Sequence, residues 1–329
     1  MVTLAEVASR AGVSISTASR ALAGRGEMTT STRRRVQAVA RELGYARVPS
    51  AGGRPSGSGR LLDLVLTGYH TAYADEVTAG ARSAAADAGY DLVLTEERDD
   101  PRDDWPVRIR RRGSSGVLLG LITPTANQLG VLAEAGIPVV VMDPVADSNR
   151  GLGSVRTTDR EGAADAAEHL LDRGATTFAM VNGVPAYRFG RARREGFISA
   201  LRHRHPSIEV PVIDASWASA EAHPQMVDLL RRVPEGERIG VFAGSDAMAA
   251  GVYAAAAAAS RRIPDDVLVV GFDDIRGARW LTPPLSTVHQ PIRDMAGTAV
   301  RMLADAATGE ALPAEPVVLP TRLIVRGST

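Results

Sequence analysis

The sequence has no cysteine and no lysine, and only 4% of it is aromatic. Without cysteine there is no disulfide framework and no thiolate metal centre. The six histidines fall at no metal-ligand spacing, and EERDDPRDDW (96–105) lacks the glycine-punctuated order of a calcium loop. No metal or other cofactor is therefore expected, and the acidic stretch reads as a solvated loop. GxGxxG, GxxxxGK and GxSxG are also missing, which removes the usual sequence marks of an enzyme. No apolar run reaches membrane-span length; Ala254–Ala259 is alanine only. A polar, cappable segment follows Met1, where a secretory signal would have a basic stretch and an apolar run. The chain is expected to be soluble and cytoplasmic. The absence of lysine is a compositional bias and implies no mechanism.

What the chain does have is a charge division. Residues 1–60 carry ten arginines and three acidic residues, and the remainder carries 28 arginines and 35 acidic residues. The net zero charge thus conceals a +7 front on a −7 body. A basic module on an acidic body suits phosphate neutralisation at one end. The front opens with TLAEVASRAGVSISTASRAL, Thr3 to Leu22. Thr3 and Glu6 form a capping-box pair, and Leu4, Val7, Ala8 and Ala11 recur at helical spacing. Gly12 breaks that helix, and Ser14 caps a second one from Ile15 to about Leu22. Two short helices about a glycine turn make a helix-turn-helix, whose second helix enters the DNA major groove. An ordinary helical hairpin is the alternative, and the surrounding positive charge argues against it. A third helix is expected from a Thr29 cap to Leu43, stopped by Gly44.

VTLAEVASRAGVSISTASRAL followed by VQAVARELGY closely resembles the DNA-binding headpiece of the lactose-repressor (LacI) family over residues 2–45. The resemblance implies that Ile15, Ser16 and Arg20 meet base edges. An arginine fork suits guanine, and isoleucine suits a thymine methyl. Thr17 is a phosphate contact or helix surface, and Thr32 with Arg33, Arg34 and Arg35 forms a solvated face or reaches phosphate. Residues 46–60, ARVPSAGGRPSGSGR, form a Gly/Ser/Pro-rich linker. In the family this segment becomes a hinge helix whose leucine wedges into the minor groove. Here Gly52, Gly53 and Pro55 oppose a helix, and no leucine lies between Leu43 and Leu61. Arg47 or Arg54 is expected to enter the minor groove instead.

From Leu61 the pattern alternates strand and helix. Strands are expected at 61–67, 90–95, 116–122, 138–143, 177–182, 239–243 and 267–274. Helices are expected at 74–88, 126–135, 160–173, 191–203, 219–232, 246–260 and 292–307. Near-continuous apolar strands separated by helices imply parallel sheets covered on both faces. That length exceeds one ordinary doubly wound domain, so two lobes are expected. Lobe 1 spans about 61–155 and 288–316, and lobe 2 about 156–287 and 317–329. Ligands of such sheets bind past the carboxyl ends of the strands. There the sequence places Tyr69 to Asp75, Asp143, Asn182 to Arg193, Ser245 with Asp246, and Asp273 with Asp274. The resemblance implies a two-lobed, periplasmic-binding-protein-like (type I) core behind an all-α headpiece. It also implies an effector cleft lined by Tyr73, Asp143, Arg193, Ser245, Asp273 and Gln290. Asp273, in GFDD, would accept sugar hydroxyls, and Arg193, three residues before Gly196-Phe197, would fork onto two ligand oxygens. Ser245 stands where the family often has Asn, so it meets ligand or caps the next helix. Tyr73 is a ring for sugar stacking or plain core.

These features describe a DNA-binding transcriptional regulator, a repressor, controlled by a sugar or related polyol. It would bind double-stranded operator DNA as a homodimer or higher oligomer, with no membrane partner and no enzymatic activity. The alternative, a solute-binding protein serving a transporter, predicts a signal peptide and no basic headpiece.

Overall fold

A computed structural model of the chain describes residues 3–22, 28–43, 60–98, 100, 103–145, 152–183, 185–215 and 219–329. It divides into two compact units, residues 1–57 and 58–329. In the first, α1 (Leu4–Arg10), α2 (Ile15–Leu22) and α3 (Thr30–Glu42) pack around Val7, Ala8, Ala18, Ala21, Val36 and Ala40. The capping box is in place: the Thr3 N–H donates to Glu6 Oε2 (2.6 Å) and the Glu6 N–H to Thr3 Oγ1 (3.3 Å). Gly12 turns the chain at φ 64°, and Thr29 caps α3 by accepting the Thr32 N–H (3.3 Å). The expected Gly44 stop and the 46–60 linker, including Arg47 and Arg54, lie outside the described residues except for Arg60.

The second unit begins with β1 (Leu61–Leu66), α4 (Ala72–Asp87), β2 (Asp91–Glu96), α5 (Trp105–Arg112), β3 (Gly116–Gly120), α6 (Ala126–Glu134), β4 (Val139–Met142) and β5 (Gly153–Thr157). It continues with α7 (Asp159–Asp172), β6 (Thr177–Asn182), α8 (Arg188–Arg204), β7 (Val212–Asp214), α9 (Ser219–Arg232), β8 (Ile239–Ala243), α10 (Asp246–Ala258), β9 (Val267–Asp273) and β10 (Ser286–His289). The chain then returns through α11 (Ile292–Ala307), β11 (Val317–Leu319) and β12 (Arg322–Ile324). One sheet runs β11-β5-β4-β3-β1-β2, and the other runs β12-β10-β9-β8-β6-β7. All pairs are parallel except β12 with β10, an antiparallel edge. Leu62, Leu64, Leu118 and Val140 bury one face of the first sheet against α4 and α11, and Val65, Val117 and Leu119 bury the other with α5 and α6. In the second sheet α7 and α8 cover Phe178, Phe242 and Phe272, while α9 and α10 cover Val181, Val241 and Val269. Both sheets are buried on both faces, which is why their strands read as apolar runs.

Two expectations are corrected, the lobe boundaries and the acidic stretch. The lobe crossings fall at Thr158, Gln290 and Pro320, not near 155, 287 and 316. Arg156 and Thr157 complete β5 in the first sheet, and β11 pairs with Val155–Thr157, so residues 317–319 belong to lobe 1. Val288 and His289 remain in the second sheet, paired with Phe272 and Asp273. Short, polar strands carry too weak a pattern to place a boundary. Thr158 and Thr321 tie two of the crossings together, hydroxyl to hydroxyl (2.9 Å) and Thr321 N–H to Thr158 Oγ1 (2.8 Å). Finally, the acidic stretch 96–105 does not end as a solvated loop. Asp104 accepts the Val107 N–H (3.3 Å) and caps α5, and Trp105 is buried in the core beside Val65 and Ile109.

Candidate functional site

On the headpiece, α2 turns Ala18 and Ala21 inward and leaves Ile15, Ser16 and Arg20 in solvent, with Ile15 55% exposed. Ser14 Oγ accepts the Thr17 N–H (3.1 Å) and so fixes the start of this helix. Arg20 Nε donates to the Ser16 carbonyl (3.3 Å), which lays the guanidinium along the same face. Thr17 is half-buried with its hydroxyl on Ser14 (2.8 Å), and the Thr32 hydroxyl pairs with Thr29 (2.8 Å). A short capped helix with one exposed apolar and two exposed polar side chains matches a major-groove reader.

In the second unit, the loops past β1, β3 and β4 face those past β6, β8 and β9 across a cavity of about 450 Å³. Tyr73, Asp143, Arg193, Ser245 and Asp273 all line it. Gln290 does not; it lies buried behind Asp143 at the second crossing. The Gln290 amide donates to Asp143 Oδ2 (2.9 Å) and its carbonyl oxygen accepts from Arg193 Nη2 (2.9 Å). Tyr73 donates its hydroxyl to the same Asp143 oxygen (2.8 Å). Its ring therefore lines the cavity while its oxygen orients a carboxylate. Arg193 lies over the Phe272 ring (3.6 Å), gives Nε to Asp159 (3.0 Å) and Nη1 to the Gly244 carbonyl (2.7 Å), and has Asp273 at 3.7 Å. The fork expected to hold ligand oxygens is thus directed at protein acceptors. Ser245 caps α10 by accepting the Met248 N–H (3.2 Å) while still facing the cavity. Asp143 Oδ1 is buried with no hydrogen-bond partner.

The first segment matches the model for bacterial regulatory proteins of the lacI family over residues 3–47, and a periplasmic binding protein-like domain matches over 167–329. The ribose operon repressor of Halalkalibacterium halodurans is 29% identical over 331 residues, covering 100% of this chain and 97% of that one. The chain is similar to LacI-family regulators along its whole length. Among similar solved structures, a transcriptional regulator CelR–cellobiose complex superposes with a TM-score of 0.73 at 27% identity over 100% of both chains. The Lac repressor dimer bound to operator and the anti-inducer ONPF shares the fold, with a TM-score of 0.79 at 23% identity, over 99% of this chain and 98% of that chain. The named relatives are transcriptional regulators, not enzymes.

Within this core, Asp159 was missed in the sequence, and Arg188 was read only as part of the Asn182 to Arg193 stretch. Asp159, buried in the first turn of α7, holds Arg193 with one oxygen and Arg188 with the other (2.8 Å). The Arg188 N–H also reaches across the cleft to the Val145 carbonyl (2.9 Å). An acidic residue opening a helix reads as a macrodipole partner, so nothing local marks Asp159 as part of a cleft. Burial pushes Asp143 up to about 6, aided by the charge on Asp159. Burial pushes Asp273 up to about 7 against the opposing pull of Arg193. Both residues sit at positive φ, 49° and 113°, a conformation that non-glycine residues adopt at a cost and that here aims carboxylates into the cleft. Asp274, next along the chain, does not line the cavity and binds Arg326 and His289 (3.2 Å).

Proposed function

We propose that this chain is a transcriptional repressor that reads operator DNA through α2 and is controlled by a sugar-class ligand held between the lobes. The observation that carries the regulatory half is the unpartnered, buried Asp143 Oδ1 beside Asp273, both lining a cavity of about 450 Å³. A buried acceptor without a donor is costly, and a ligand hydroxyl supplies the missing donor. The cavity size suits a mono- or disaccharide. Ile15, Ser16 and Arg20 read bases, and Thr17, Thr32, Arg47 and Arg54 are assigned to the DNA backbone or minor groove. The domains are the headpiece (1–45), linker (46–60) and core (61–329), with lobe boundaries at the crossings described above. A near-palindromic operator requires two headpieces, so the working unit is a homodimer or larger, acting in the cytoplasm where the DNA lies. A solute receptor would have no use for α1–α3.

Tyr73, Asp143, Gln290, Arg193 and Asp159 form one hydrogen-bonded chain from lobe 1 through a crossing to lobe 2. A ligand that engages Asp143 within that chain and Asp273 beside its Arg193 acts on both lobes, and changes the lobe arrangement to which the headpieces are tethered. Effector and operator must then change one another's affinity by the same factor, typically ~5–150-fold. The test is operator affinity measured with and without each sugar that stabilises the core. A stabilising sugar that leaves operator affinity unchanged refutes the coupling.

A further inference from the structure

We infer that the cleft selects a ligand that donates hydrogen bonds and carries no negative charge: an unphosphorylated sugar or an amino sugar, rather than a sugar phosphate or sugar acid. The inference rests on the proposed effector role of the cleft and narrows its ligand class.

Three observations carry it. First, the polar groups left for a ligand are acceptors. Asp143 Oδ1 is buried and unpartnered, and Asp273 lines the cavity with Arg193 Nη1 at 3.7 Å, beyond hydrogen-bond length. Second, the strong donors are committed. Each of the three nitrogens of Arg193 donates within the protein, to Asp159, the Gly244 carbonyl and Gln290. Arg188 donates to Asp159 and, although its Nε is unpaired, does not line the cavity, while Tyr73 and the Gln290 amide both donate to Asp143. The donors that remain at the cavity wall are neutral hydroxyls, such as Ser245 and Thr67, with His70 exposed at its rim. Third, buried carboxyl groups outnumber guanidiniums, and burial holds Asp143, Asp246 and Asp273 toward their neutral forms. Asp143, Asp159, Asp246 and Asp273 are all buried around the cleft, against Arg188 and Arg193. Among the described residues, that is four carboxyl groups to two guanidiniums.

A phosphate or carboxylate entering this cleft makes ionising those carboxyls still more costly in a poorly screened environment, and Arg193, the one arginine among the described residues that line the cavity, is already committed. A hydroxyl or ammonium instead satisfies the orphaned carboxylate oxygen. The arginines that could change this balance lie elsewhere: Arg276, Arg279 and Arg293 line a second cavity of about 400 Å³ that shares only Asp273 with the first. The cleft's aromatic wall, Tyr187 against Phe189 at 5.2 Å between ring centres, offers a face to sugar C–H groups and equally to a cation.

The test is calorimetric binding and thermal shift on the full-length protein with matched probes. One set is glucose, glucosamine, glucose 6-phosphate and glucuronate; another is ribose and ribose 5-phosphate; a third is cellobiose and cellobionate. In each set the anion is expected to bind at least ~10-fold more weakly than its neutral or amino counterpart. In the Asp143→Asn, Asp273→Asn double variant that gap should shrink by ~10-fold, with a single cooperative ligand-free melting transition as the control for folding. An anionic probe that binds as tightly as its parent overturns the inference. If that anion also alters operator affinity, the regulatory role stands and only the ligand class falls. If no probe shifts the melting temperature, the proposed function falls together with the inference.

Discussion

Arg20 and Asp273, the two side chains on which the proposed function turns, differ in setting: one is exposed and charged, the other buried at positive φ. Arg20 lies on the outer face of α2 beside Ser16 and Ile15, where a guanidinium forks onto guanine. Replacing it with alanine should cost specific operator binding about 1–3 kcal/mol, while non-specific binding, set by phosphate neutralisation, changes little. Titrating the variant against operator and random DNA at matched salt checks this; equal losses on both would remove Arg20 from base readout. Asp273 faces Arg193, Asp143, Asp159 and Asp246, and burial raises it from an ordinary 3.8 to about 7. The folded state therefore holds the proton more tightly than the unfolded chain. The stability this confers is full below pH 3.8 and is lost as pH rises through about 7. Asp273→Asn removes that dependence, so its melting temperature relative to wild type should be higher at pH ~8 than at pH ~5. An identical difference at both pH values would mean that Asp273 is not held protonated. The same proton must leave before the carboxylate accepts two ligand donors, so effector affinity in the wild type should rise between pH ~5 and pH ~8.

Helix α8 shows how an element delivers these side chains. It carries Arg188 and Arg193 to Asp159 at the start of α7, and it can do so because Gly196 lets the two helices touch. A Cβ at Gly196 would overlap the Arg160 carbonyl, a backbone group that cannot swing aside. Gly196→Ala is therefore expected to destabilise the core by about 1–3 kcal/mol and to separate Arg193 from Asp159. Denaturant unfolding together with effector affinity tests this. Intact stability with normal affinity would show that α7 and α8 tolerate the extra carbon. Short-range logic made α8 legible: the motif RREGF marks its core face, and Phe197 stacks on Phe242 at 4.9 Å. The same logic failed for β5, β7 and β10. GSVRT, VID and STVH are short and partly polar, and become strands because neighbouring edges complete their hydrogen bonds.

The molecule as assembled is a basic reader and an acidic sensor on one chain, +7 before residue 61 and −7 after it. A positive headpiece is drawn to DNA, and the negative core resists non-specific adhesion to the same polyanion. The salt dependence of operator binding should accordingly reside in the headpiece. Neutralising Arg33 and Arg34 is expected to flatten the slope of log K against log salt by about 0.9 for each phosphate that is no longer neutralised. Neutralising core arginines, such as Arg202 and Arg204, should leave it unchanged. A change in slope from the core variants would place DNA binding outside the headpiece as well.

By itself the sequence determined the elements whose causes are local. The Thr3–Glu6 capping box, the Gly12 turn, the Ser14 cap and the alternation of apolar strand with helix each act within a few residues. Hydrogen bonding and side-chain periodicity operate at that range, so the headpiece and the two-sheet core were readable. The cleft's composition was readable only residue by residue, through a family pattern. How those residues combine was decided by the tertiary structure. Gln290 meets Asp143 across 147 positions and Arg193 across 97, at a crossing set by how α11 packs back on the first sheet. The charge on Arg193 was visible in the sequence, but its commitment to Asp159, Gly244 and Gln290 was not. That commitment leaves the Asp143 Oδ1 acceptor of the cleft unmet, because partners for buried polar groups are chosen by proximity in the fold, not by proximity along the chain.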